Sequence, residues 1–183
     1  MANDPDSAAR CYVAFGSNIR PAGNIPAALS RLAGCVGRLS CSSVYRTVPL
    51  GPSGQPEYVN GVCELATDLG PREIKALLSR IENELGRTRT GDKYAPRPID
   101  LDLILWGDRV ADEPDLHLPH PDLERPFVAL PILELAPDLL LPGEGRPLRE
   151  WLAERHGQPL SELYPPGELD PEITRAARAA AGT

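Results

Sequence analysis

Two aspartates, Asp100 and Asp102, stand inside an otherwise apolar run, "RPIDLDLILWGD" at residues 97–108. Aspartate is depleted in strands and an unpaired buried carboxylate is costly, so something must offset that cost. In a strand, residues two apart share a face and lie about 6.5–7 Å from one another, so Asp100 and Asp102 project together. Ile99, Leu101, Leu103 and Leu105 then form the opposite, core-facing row. Two neighbouring carboxylates repel each other unless a cation lies between them. They suit Mg²⁺, a hard ion that takes oxygen ligands and keeps waters and phosphates as the rest of its shell.

A basic segment stands just before this strand. Residues 80–97 hold Arg80, Arg87, Arg89, Lys93 and Arg97, whereas 85–99 hold a single acid, Asp92. Guanidinium forks match phosphate oxygens in pairs, which suits Arg87, Arg89 and Arg97. Arg80 reads as a helix-surface charge. A metal platform beside a cationic loop is the equipment of phosphoryl transfer. The chain has neither a GxxxxGK[ST] loop nor a protein-kinase signature, so the familiar nucleotide cradles are excluded. By itself, D-x-D with arginines serves a kinase, a nucleotidyl transferase or a two-metal hydrolase.

The elements that must position these groups are legible in outline. "CYVAFGSN" (11–18) reads as a buried strand ending in a turn, and 24–33 as a helix with Asn24 as cap and Pro26 in its first turn. Residues 38–47 look like a second strand and 58–68 a third, where the phase shift at Gly61 suggests a bulge. The clearest helix is 71–85: Pro71 starts it, Ile74, Leu77, Leu78, Ile81 and Leu85 make one apolar stripe, and Gly86 stops it. Glu82 reads as facing away from that stripe. After the aspartate strand, a loop leads into a short helix at about 127–136. The order β-α-β-β-α-β argues an α+β sandwich of the ferredoxin-like kind, a mostly antiparallel sheet covered by helices. Residues 1–10 are expected to be an N-terminal extension, 11–160 the catalytic domain and 161–183 a weakly docked tail.

Composition narrows the partners. A net charge of −7, from 26 acids and 19 bases, is wrong for a global nucleic-acid binder. A local cationic loop in an acidic protein points instead to a small anionic ligand. No apolar run approaches the ~20 residues of a membrane span, and the N-terminus lacks the apolar region of a secretion signal, so a cytoplasmic protein is expected. The four cysteines, Cys11, Cys35, Cys41 and Cys63, fit no zinc or redox spacing and read mostly as core filler.

Taken together, the motifs are more specific. "YVAFGSN", "SSVYRTVPLGPSGQPEYVN", "IENELGRTRTGDKYAPRPIDLDLILWG" and "LHLPHPDLERPFVALPILELAPDL" follow in an order and spacing that closely resemble the 6-hydroxymethyl-7,8-dihydropterin pyrophosphokinases of folate biosynthesis, from about residue 11 to 155. The resemblance implies transfer of a pyrophosphoryl group from Mg-ATP to the pterin hydroxymethyl group, releasing AMP. It implies that Asp100 and Asp102 hold two Mg²⁺ ions and that Arg87 and Arg97 clamp the phosphates. It places Arg89 in a catalytic loop, gives His120 the terminal phosphates and sets Leu103 near adenine. For the pterin it implies Tyr58 and Phe127 as aromatic plates, Asn60, Thr47 and main-chain groups near Leu50 as readers of its edge, and Arg125 at the mouth. A flat polar heterocycle is well held in that way, between two rings with donors and acceptors at its rim. A monomer is expected, able to associate with other folate enzymes.

Thr90, Tyr94 and Pro121 stand where some members carry a lysine, a tryptophan and an aromatic. Gly91 provides a pivot, so the 87–98 loop is expected to close over ATP. Hydrogen exchange at residues 87–97 should slow when a non-hydrolysable ATP analogue and the pterin are both added. Unchanged exchange would refute closure.

Overall fold

Four helices begin on proline, whose fixed φ suits the first helical position and whose missing N–H would have had no partner there. The computed structural model describes residues 8–48, 56–87 and 95–182. In chain order, β1 (Ala9–Ser17) leads to α1 (Pro21–Val36), the short strands β2 (Leu39–Cys41) and β3 (Tyr45–Thr47), and the long β4 (Tyr58–Thr67). Next come α2 (Pro71–Glu84), β5 (Asp100–Trp106), β6 (Ala111–Glu113) and β7 (Leu116–Leu118). A 3₁₀ turn (Pro121–Glu124) precedes α3 (Pro126–Leu135), α4 (Leu148–His156), α5 (Leu160–Leu163), β8 (Glu168–Leu169) and α6 (Pro171–Ala181).

The main sheet runs β5-β1-β4-β3-β8, with β2 also paired to β4 and every neighbouring pair antiparallel. This is the expected ferredoxin-like order. On one face, Ile25, Leu29, Ile74 and Ile81 from α1 and α2 meet Val13, Phe15, Val59 and Leu101. On the other, Val128, Ile132, Leu148 and Leu152 from α3 and α4 meet Tyr12, Val62 and Ile104. Both faces are therefore dry over much of their area.

That double burial corrects two expectations. No bulge occurs at Gly61: the β1–β4 register is continuous, with Gly61 opposite Phe15. A Cβ at Gly61 would lie 2.5 Å from Phe15 Cζ, so the glycine makes room for the ring. The apparent phase shift arose because Val62 is apolar toward the second core. The register shift lies instead between β1 and β5, where Tyr12 faces Leu105 but Val13 faces Leu103. Leu105 therefore leaves the row of Leu101 and Leu103 and joins the second core.

Three other boundaries move. The expected strand 38–47 is divided, because Ser42 interposes its hydroxyl, which accepts from the Val62 N–H at 3.0 Å. α1 starts at Pro21 rather than at an Asn24 cap, and Asn24 Nδ2 instead donates to the Ile19 carbonyl at 2.7 Å. The C-terminal segment is not weakly docked. Ile173, Ala177 and Ala181, four apart along α6, are buried in the first core, with α6 against α1. A mostly alanine stripe looked weak in sequence, but small side chains let two helices approach closely. Cys11, Cys41 and Cys63 are buried and Cys35 is exposed, all as free thiols.

Ile173→Ala should lower unfolding stability by about 2–5 kcal/mol in a denaturant titration, as for other buried aliphatic truncations. An unchanged midpoint would mean that α6 is not docked.

Candidate active site

Strand pairing builds the floor of the site. Asn60 on β4, Gly16 on β1 and Asp100 on β5 stand opposite one another across three strands, and Val62, Ala14 and Asp102 form the next such row. The middle strand thus contributes only a glycine and an alanine between the amide and the carboxylates. A Cβ on Gly16 would lie 2.6 Å from Asn60 Oδ1, so only glycine leaves the amide in place. Asn60 Nδ2 donates to Thr47 Oγ1 at 2.7 Å.

The basic residues close on the first aspartate. Arg87 and Arg97 both donate to the Asp100 carboxylate, one to each oxygen. Arg87 also donates to Glu82 Oε1, which accepts from the Leu101 N–H at 2.8 Å. Glu82 thereby ties the end of α2 to β5 and holds Arg87 beside Asp100. Its burial corrects the expectation that it faces away from the apolar stripe: it is 3% exposed. Its place four residues after Leu78 was the signal. Asn18 was also missed; its Oδ1 accepts from the Arg97 N–H at 2.7 Å, and its N–H donates to the Arg97 carbonyl. It fastens the segment that delivers Arg97.

Asp102 sits apart from the arginine clasp. Burial, then repulsion from Asp100, pushes its carboxyl above the ordinary aspartate range, with His120 pulling the other way. Burial likewise raises Glu82, opposed by the Leu101 N–H and Arg87. His120 caps the 3₁₀ turn: its Nδ1 accepts from the Asp122 N–H at 3.2 Å and its own N–H donates to the Ile104 carbonyl. An accepting Nδ1 leaves Nε2 as the ring donor. Burial also raises Tyr58, on which Arg97 and Asp100 act next, so this ring lies within their field. Phe127 is in the first turn of α3, which lies across β4, and Arg125 stands 5.8 Å over its ring. Arg125 Nε also donates to Asp122.

The structure therefore assembles Arg87, Arg97, Asp100, Asp102, His120, Tyr58, Asn60 and Thr47, with Phe127 and Arg125 together on α3 and the turn before it. Leu103 is buried on the face opposite the carboxylates, 4% exposed, against the α1–α2 layer. Its side chain does not share their space. Arg89, Leu50, Thr90, Gly91 and Tyr94 lie outside the described residues. A concavity of about 550 Å³ takes in His120, Leu123, Trp151 and Arg155 but neither aspartate.

Among the described residues, no group of three or more His, Cys, Asp or Glu side chains could hold a metal. The protein offers two carboxylates, of which Asp100 takes the hydrogen bonds of Arg87 and Arg97. That donor set fits a divalent ion that draws its remaining ligands from phosphate and water. Fold and site together define a phosphoryl-transfer enzyme on a ferredoxin-like sheet.

Comparison with known proteins gives the particular family. Residues 12–137 match the model of the 7,8-dihydro-6-hydroxymethylpterin-pyrophosphokinase family, and the chain belongs to it. A 2-amino-4-hydroxy-6-hydroxymethyldihydropteridine pyrophosphokinase of Pseudomonas aeruginosa is 43% identical over 148 residues, covering 79% of this chain and 90% of its own. A Synechocystis relative of the same name is 36% identical over 180 residues, covering 91% of each chain. A crystal structure of an HPPK-DHPS protein with substrates superposes with a TM-score of 0.63 at 12% identity, over 90% of this chain and 46% of that one, a likeness of fold. The protein transfers pyrophosphate from ATP to hydroxymethyldihydropterin in folate biosynthesis.

The raised Asp102 sets a pH dependence. The folded state favours its protonated form, so ionised Asp102 costs stability. That cost is absent below the ordinary value of 3.8 and grows as pH rises through the higher folded value. Metal-free Asp102→Asn should therefore melt above the parent at pH 7, with the gap closing as pH falls through the carboxylate range. An equal or lower melting temperature at pH 7 would refute it.

Proposed function

We propose that the Gly16–Ala14 floor is where the two substrates meet, ATP on the β5 side and the pterin on the β3–β4 side. The observation that carries this reading is the row Asn60–Gly16–Asp100, which sets an amide reader and a phosphate-side carboxylate across one small residue. Asp100 and Asp102 would hold two Mg²⁺ ions. Such ions neutralise phosphate charge and orient the reacting oxygens when bound.

The chain's own residues do the rest by placement and charge. Arg87 and Arg97 exchange the Asp100 carboxylate for phosphate oxygens, with Glu82 keeping Arg87 in reach. Arg89 joins them from the loop, and His120 donates to the terminal phosphates. Leu103, from the buried side of β5, backs the adenine only through the strand it shapes. Tyr58 and Phe127 stack on the pterin; Asn60, Thr47 and the main chain near Leu50 read its edge, and Arg125 stands at the mouth. The hydroxymethyl oxygen then attacks the β-phosphorus in line, and the bond from that phosphorus to the α–β bridging oxygen breaks, releasing AMP.

No helix among the described residues is long and apolar enough to cross a membrane. With small, water-borne substrates, the enzyme is proposed to act in the cytoplasm, as a monomer.

³¹P NMR of the protein with Mg-ATP, with and without 6-hydroxymethyl-7,8-dihydropterin, tests the site. AMP and a pterin diphosphate should form only with the pterin, and Asp102→Ala should abolish both while still folding. Free phosphate without pterin would mean hydrolysis, and an active Asp102→Ala would remove the metal role.

A further inference from the structure

β3 is three residues long, yet Thr47 at its end supplies the hydroxyl that holds Asn60. So short a strand is weak by itself. The chain beyond α5 returns to secure it. β8 pairs with its outer edge, Tyr45 opposite Leu169 and Arg46 opposite Glu168. The Asp170 N–H donates to the Val44 carbonyl at 2.8 Å, and the Val44 N–H donates to Thr174 Oγ1 at 2.9 Å. Arg46 meets Asp170 at 2.6 Å, and the hydroxyls of Tyr45 and Tyr164 share a hydrogen bond of 2.6 Å.

Closest approach falls at Gly167. A Cβ there would stand 2.2 Å from the Arg46 carbonyl oxygen and 3.1 Å from Thr47 Cγ2. The first contact is with backbone, which has little freedom to yield. Tyr45, whose hydroxyl Tyr164 holds, is the residue directly opposite Asn60. Two contacts from one segment thus converge on the Thr47–Asn60 pair from different sides. All of this segment lies beyond residues 12–137, the part that matches the family model.

We infer that residues 164–170 are a strap that sets Thr47, and through it Asn60, making Gly167 and Tyr164 positioning residues for the pterin. The inference rests on the assignment of Asn60 and Thr47 to that substrate. Because β5 lies three strands away from β3 in the sheet order, the strap acts on one substrate and not on the other.

Steady-state kinetics of the full chain carrying Gly167→Ala or Tyr164→Phe, with Asn60→Ala alongside, test this. Both strap variants should raise the KM for 6-hydroxymethyl-7,8-dihydropterin by about threefold to tenfold, the range expected for one weakened hydrogen bond, with the KM for ATP unchanged. Loss of fold alone would scale kcat with the active fraction and leave both KM values in place. If Gly167→Ala does not fold, Tyr164→Phe decides, since it keeps the ring and removes only the hydroxyl. A pterin KM unchanged by the strap variants, or one rising together with that of ATP, would overturn the strap. A pterin KM unchanged in Asn60→Ala would overturn the pterin assignment itself, and the strap with it.

Discussion

Repulsion between Asp100 and Asp102 is the constraint around which the rest of the site is arranged. Two carboxylates at same-face positions of one strand cannot both ionise in a buried place without compensation. The structure compensates one by direct hydrogen bonds and the other only through the more distant charges of His120 and Arg87. Asp100 is clasped by Arg87 and Arg97, and Arg87 is fixed in turn by Glu82, whose own burial is made tolerable by the Leu101 N–H. Asp102 keeps a carboxyl raised above the ordinary aspartate range, first by burial and then by repulsion from Asp100. Carboxyl groups perturbed by burial and by a neighbouring like charge are characteristic of functional sites.

The fold answers to the same constraint. Covering both faces of the sheet stabilises the molecule but leaves no room for a ligand, so the helices on the second face stop short of the Gly16–Asp100 end. α3 and α4 bury Tyr12, Val62 and Ile104, while Tyr58, Asn60, Asp100 and Asp102 stay only partly buried. Gly16 and Gly61 are neighbours in this scheme with different duties. Gly61 makes space for Phe15 inside the first core, and Gly16 makes space for the Asn60 amide on the site's floor. In each case the missing Cβ is filled by a neighbour's side chain.

Helix and strand periodicity was readable because burial imposes it locally: the α2 stripe with Pro71 at its start and the β1 and β5 runs appeared at or near their observed places, whereas α1 begins at Pro21 and carries Pro26 inside it. The D-x-D spacing and the basic segment were equally plain, since charge among apolar residues stands out. Less visible were residues whose role depends on what comes near them. Glu82 lies on a stripe that tolerates it only because Arg87 and a backbone N–H meet it there. Asn18 in the "GSN" turn looked like turn chemistry until the Arg97 backbone arrived beside it. The segment 161–183 read as a weakly docked tail because nothing local to it reveals that α1 offers α6 a partner.

From the sequence alone came the ferredoxin-like order of elements, the pair of carboxylates, the arginines and the histidine, because each is a property of a short window or of motif order. Which side chains share a face could be counted, but the extra residue in β5 sent Leu105 to the other core, and periodicity within one strand does not reveal its partner's register. Only the tertiary structure decided that Asn60, Gly16 and Asp100 form one row, that Glu82 and Asn18 hold the arginine-bearing segments, and that the C-terminal segment reaches Thr47. Those contacts join residues far apart in the chain, and their energies exist only once the sheet has brought them within hydrogen-bonding distance.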